Sequence, residues 1–110
     1  MLLVEHDPRW PALAAEERAR LRARLGGGPA IEHIGSTAVP GLAAKPILDL
    51  MIGVASDGAR WTLVEPLRDA GYVHGDSDVI PGRLYFRRDD AAGLRTHQAS
   101  VCVVGGRFWV

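Results

Sequence analysis

One stretch of the chain gathers the residue types that can do chemistry: Ile31 to Val54, IEHIGSTAVPGLAAKPILDLMIGV. Gly35-Ser36-Thr37 joins a flexible residue to two hydroxyls, and such turns offer backbone and side-chain donors to anionic oxygens. Lys45 is the only lysine in the chain; the other twelve basic residues are arginine. A compact ammonium there is not replaced by a planar guanidinium. Asp49 interrupts the apolar run Ile47 to Val54. An acid inside a buried strand is costly unless a cation or hydrogen-bond donors accompany it. Together with Arg95, and with Arg83 or Arg87, these groups could converge on a phosphate, through charge-assisted bonds about twice as strong as neutral ones. A plainer reading fits the same residues. In it Gly-Ser-Thr is a tight turn, Lys45 a loop lysine, and Asp49 a structural partner of Lys45 or a histidine.

The elements that must position these groups follow from periodicity and punctuation. Ile31 and Ile34 flank a polar pair in a strand that the glycine turn ends, and Ile47 to Val54 is short enough for a second, buried strand. Upstream, Leu2-Leu3-Val4 reads as a short strand or arm. A helix is expected to begin at Asp7 or Pro8, with Pro11 in its first turn. Trp10, Leu13, Ala14, Leu21 and Leu25 give it an apolar side; Glu16, Glu17, Arg18, Arg20, Arg22 and Arg24 are assigned to the solvent side. Downstream, Ala59 to Ala70 reads as one helix that Pro66 should kink or shift. Tyr72-Val73 opens a third strand, Arg83 to Arg88 is another, and Leu94 to Val104 the last. The order implies an α+β domain spanning residues 1–110: a mixed β-sheet with helices packed mainly on one face.

The run HIGSTAVPGLAAKPILDL, from His33 to Leu50, resembles the signature of the GrpB-like family, with a weaker likeness back to Trp10 and forward to His97. The resemblance implies a nucleotidyltransferase-like fold. In that superfold a Gly-Ser turn holds triphosphate oxygens and a following strand supplies two carboxylates, one residue apart, for magnesium. Alternate strand positions point the same way, which puts such a pair on one ion. Here the paired position is Ile47 or Met51, so Asp49 stands alone. Asp76, Asp78, Asp89 or Asp90 could supply a further carboxylate, all from expected loops. By resemblance, the catalytic candidates are Asp49 and His97, with Asp49 also the candidate Mg2+ ligand. His33, Gly35, Ser36, Thr37, Lys45 and Arg95 are the candidate ligand-binding set. Two functions stay open: binding a nucleotide or phosphorylated small molecule, with magnesium-dependent nucleotidyl transfer, or a non-catalytic binding module that has lost the metal pair.

Composition narrows the partners. Thirteen basic and thirteen acidic residues leave no formal charge to draw nucleic acid or an anionic membrane to the whole surface. No apolar run approaches the ~20 residues of a membrane span, and the basic region of a signal peptide is absent, so a cytoplasmic protein is expected. Cys102, the single cysteine, lies in the apolar run VCVV and reads as a buried thiol. The family's helical continuation would begin near Trp109. Without it, Phe108 and Trp109 are expected either to recruit a second copy as a homodimer or to fold back onto their own chain.

Overall fold

The computed structural model describes residues 3–75 and 79–109. Helix α1 runs from Trp10 to Leu25, followed by strands β1 (Ala30–Ile34) and β2 (Leu48–Val54), helix α2 (Val64–Asp69), and strands β3 (Val79–Ile80), β4 (Arg83–Asp89) and β5 (Arg95–Val103). The five strands form one mixed sheet in the order β1-β2-β5-β4-β3. β2 and β5 run parallel at its centre, and every other pair is antiparallel.

Strand alternation divides this sheet into two unlike faces. Ile31 sits opposite Ile52, Leu50 opposite Ala99, and Val101 lies between Ile52 and Leu84, with Phe86 opposite Ala99. All of these are buried in one cluster with Leu21 of α1 and Leu67 of α2. Both helices therefore pack on this face, as the α+β pattern implies. Each fully buried Leu, Ile or Phe contributes about 1.5–3 kcal/mol of transfer free energy, so this face dominates the fold's stability. The opposite face carries three polar-rich rows read from the pairing register. They are Ile34–Asp49–Gln98–Arg87, then Glu32–Met51–Ser100–Tyr85, then Ala30–Gly53–Cys102–Arg83. The Trp109 ring lies directly against Gly53, where any side chain would collide with it. Phe108 takes the Arg83 and Arg107 guanidiniums against its ring at 5.8 and 4.6 Å.

Several expectations need correction. The first helix starts at Trp10 rather than at Asp7 or Pro8, because the Asp7 carboxylate accepts from the Arg9 backbone N–H (2.9 Å) and its guanidinium (2.7 Å) in a turn. Buried α1 residues are Trp10, Ala14, Glu17 and Leu21, so Glu17 belongs to the inner stripe and not to the solvent side. The expected helix from Ala59 to Ala70 is a 3-10 segment, Gly58–Leu63, followed by α2 from Val64. Pro66 lies in the first turn of α2, where its missing N–H is tolerated. Tyr72-Val73 is no strand: Val73 makes a single bridge to Arg87, and Tyr72 is fully buried. Val4 likewise makes only a bridge to Ala44, and Leu2 lies outside the described residues. Cys102 is buried, as read.

Candidate functional site

A cleft lies on the polar sheet face, at the end where β2 and β5 begin. About 300 Å³ in volume, it is lined by Ser36, Lys45, Asp49 and Gln98 together with Leu3, Ala43, Ala44 and Ile47. Gly35 shapes it from behind. Its backbone (φ 76°, ψ −170°) occupies a region that is essentially glycine-only, and a Cβ there would stand 2.9 Å from Asp49 Oδ2. The carboxylate thus occupies the space a side chain at this turn would need, with the Ser36 and Lys45 side chains exposed at the rim. A 3-10 turn, Ser36–Ala38, follows the glycine.

Asp49 sits between Ile34 and Gln98 in the register and makes no ion pair with any described residue. The structural partnership with Lys45 or a histidine is therefore not the arrangement found. Burial pushes its carboxyl above the usual carboxylate range, and the charge of Arg83 pulls only partly the other way. The Arg83 side chain stacks on Tyr85 at 5.5 Å, and its Nε is buried without a hydrogen-bond partner among the described residues.

The rest of the candidate set goes elsewhere. Thr37 is buried, and its Oγ1 lies 2.9 Å from His33 Nε2. His33 pairs with Leu50 and so shares the helix-bearing face, where burial lowers its pKa, with the Arg18 charge adding to the effect. Arg95 stands opposite Asp89 at the hairpin end of β5. His97 pairs with Leu48 and opens on the helix side, into a different and larger cleft. Asp89 and Asp90 lie at that same hairpin, while Asp76 and Asp78 lie outside the described residues.

The metal expectation can be tested on the donor set. No group of three His, Cys, Asp or Glu side chains that could hold a metal ion occurs among the described residues. Ile47 lines the cleft where the superfold's second carboxylate would stand. These residues do not fit a resident paired-carboxylate magnesium centre. Among the residues that line the cleft, Asp49 supplies the one carboxylate.

Sequence reasoning missed two groups. Gln98 is the direct β5 neighbour of Asp49 and lines its cleft; strict alternation from His97 would have found it. Glu17 is 4% exposed on α1 and gathers a network. Arg20 donates to it twice (2.7 and 2.8 Å), Tyr72 Oη donates at 2.6 Å, and Arg88 Nη1 lies 3.2 Å from both carboxylate oxygens. Burial alone would raise the Glu17 pKa, but the Arg20 and Tyr72 hydrogen bonds and the nearby cationic charge overcome it and hold the carboxyl at about 2. The one signal in the sequence was the spacing 10, 14, 17, 21.

The fold is shared with a known family. The model described as GrpB protein matches residues 1–110, and the chain belongs to the GrpB family. A UPF0157 protein of Halalkalibacterium halodurans is 46% identical over 72 residues, 64% of this chain and 37% of that protein. A dephospho-CoA kinase of Mycolicibacterium paratuberculosis is 46% identical over 74 residues, 64% of this chain and 18% of the kinase. The crystal structure of conserved protein GrpB from Enterococcus faecalis matches with a TM-score of 0.81 at 32% identity, over 93% of this chain and 61% of that one. The chain spans 37%, 27% and 38% of the length of three UPF0157 relatives. No helix among the described residues is long and apolar enough to cross a membrane.

Proposed function

We propose that this chain binds a phosphorylated small molecule, a nucleotide first among the candidates, in the cleft of Ser36, Lys45, Asp49 and Gln98. The observation that carries the reading is the meeting of an exposed ammonium, a hydroxyl at a glycine turn and a half-buried acid in one opening of about 300 Å³. Lys45 and Ser36 would hold phosphate oxygens, and Gln98 would donate its amide N–H. Asp49 would repel a phosphate unless a cation came between them, so magnesium is expected to enter with the ligand and to tighten its binding.

Binding without nucleotidyl transfer is the better-supported form. One carboxylate occupies the cleft, and His97, the other catalytic candidate, opens on the opposite side of the sheet. The similar stretch in the dephospho-CoA kinase makes up 18% of that enzyme, which fits a module that serves beside a larger protein. Calorimetry with ATP, ADP and inorganic phosphate, with and without magnesium, tests the reading. Lys45→Ala should weaken nucleotide binding about tenfold, the loss of roughly one charge-assisted contact at about 1.4 kcal/mol, while leaving stability within about 0.5 kcal/mol. Absence of saturable binding at millimolar ligand would refute the proposal. Pyrophosphate release in the same samples would favour transfer over simple binding.

A further inference from the structure

Another cleft is larger than the one just described. It opens on the helix side of the same sheet end, between the first half of α1 and the ends of β2, β4 and β5, with a volume of about 510 Å³. Its apolar walls are Trp10, Leu13, Pro46 and Leu48. Its polar end is built from His97, Arg20 and Arg88 around the buried Glu17. Concave, mainly apolar sites with a few convergent polar groups are the usual form of small-molecule sites.

The charges at that polar end select the ligand. Two guanidiniums face one carboxylate, leaving a surplus of one positive charge. Arg20 uses Nε and Nη2 on Glu17, and Arg88 uses Nη1. Arg20 is held in addition by the Tyr72 hydroxyl, while Arg88 Nη2 makes no hydrogen bond to a described residue and remains available as a planar donor suited to a carboxylate. His97 Nδ1 lies 2.8 Å from Thr96 Oγ1, which also lies 3.3 Å from the Arg88 carbonyl oxygen. The threonine hydroxyl donates to one of them, and either way the His97 Nε2 is left for a ligand. At the mouth, Asp7 and Arg9 neutralise one another, and Glu16 adds a negative charge that disfavours a dianion such as a phosphate ester.

We infer that this cleft is a second binding site, for a monocarboxylate with an apolar body, its carboxylate against Arg20 and Arg88 and its body against Trp10 and Leu48. The inference uses none of the residues of the proposed phosphate cleft, so either can fail without the other.

Benzoate, phenylacetate and hexanoate serve as probes, with benzyl alcohol and benzylamine as the neutral and cationic counterparts. Amide and indole NMR shifts on the full chain report the site. The carboxylates should give saturable shifts at Trp10, Thr96 and His97 and leave Ser36 and Asp49 unmoved. They should bind at least tenfold more tightly than benzyl alcohol or benzylamine. Arg88→Gln should weaken them at least tenfold. Leu13→Trp, which narrows the mouth at a partly exposed position and leaves the Glu17 network intact, should do the same even if Arg88→Gln fails to fold. Equal binding of the three charge types, carboxylate shifts confined to the Lys45 side, or no shift at tens of millimolar would each overturn the inference.

Discussion

Two clefts flank the same end of one sheet, separated by the thickness of a strand. Pro46, Leu48 and His97 face the helix side, while Lys45, Ile47, Asp49 and Gln98 face the open side. Glu17 lines one cleft and Asp49 the other, and these two acids are treated in opposite ways. Glu17 is the more deeply buried, yet three neighbouring side chains donate to it and it stays ionised down to about pH 2. Asp49 is less buried but has no ion-pair partner among the described residues, and its carboxyl is pushed up. Donor supply, rather than depth alone, decides the state of a buried acid. A satisfied acid holds a structure together; an unsatisfied one costs stability when ionised.

Removing each acid should therefore move stability in opposite directions. Glu17→Ala leaves Arg20, Arg88 and the Tyr72 hydroxyl without their shared acceptor, and a loss of about 3–5 kcal/mol in urea denaturation is expected. The pH dependence has the same origin. The folded pKa of Glu17 lies below its ordinary 4.5, so its stabilisation is present above that value and is lost as pH falls from 4.5 towards 2. At about 1.4 kcal/mol per pH unit, that window carries about 3 kcal/mol. A variant within 0.5 kcal/mol of the parent would mean that the network is ornamental.

The next effect in size sharpens the other side of the comparison. Gly35→Ala forces a side chain into a backbone region reserved for glycine and onto the Asp49 carboxylate. Equilibrium unfolding should show a loss of about 1–3 kcal/mol. An unchanged midpoint would show that the turn can reshape freely and that Asp49 is not held against it.

Asp49→Asn gives the smallest effect and the opposite sign. A folded pKa above the ordinary value means that the stability Asp49 contributes is present below pH 3.8 and is lost as pH rises through the folded value. At neutral pH the ionised group is a cost. Its neutral replacement should stabilise within the ~0.5–2 kcal/mol range of single stabilising changes. It should also abolish the tightening of nucleotide binding by magnesium. Destabilisation by Asp49→Asn would place the acid in a structural pair after all.

Much of this arrangement could be read from the residues. The central strands were legible because β2 is an apolar run broken only by Asp49 and β5 ends in the apolar run Val101 to Val103. The Gly-Ser turn and the isolation of Asp49 were legible too. What escaped was which side of the sheet each polar group faces. His97 and Asp49 looked like one constellation because the family resemblance reaches both, yet His97 pairs with Leu48 and Asp49 with Gln98, one position out of phase. Glu17 escaped because it is flanked by Glu16 and Arg18 and looks like surface charge. Only Tyr72 and Arg88, 55 and 71 residues away, explain its burial. Local sequence carries no trace of partners that distant. The short β3 strand was invisible for a similar reason, since it exists only by pairing with β4, and Val73, expected to open a strand, forms only a bridge to Arg87.

Two acids sit in opposite environments at one sheet end, Glu17 from α1 on the helix side and Asp49 from β2 on the open side. Side-chain carboxyl carbon NMR across pH 1.5 to 7 tests this difference most directly. The account predicts a Glu17 midpoint at about 2 and an Asp49 midpoint above its ordinary 3.8, with added magnesium and nucleotide shifting the Asp49 signal but not that of Glu17. Midpoints in the reverse order, or a ligand response shared by both carboxyls, would contradict it.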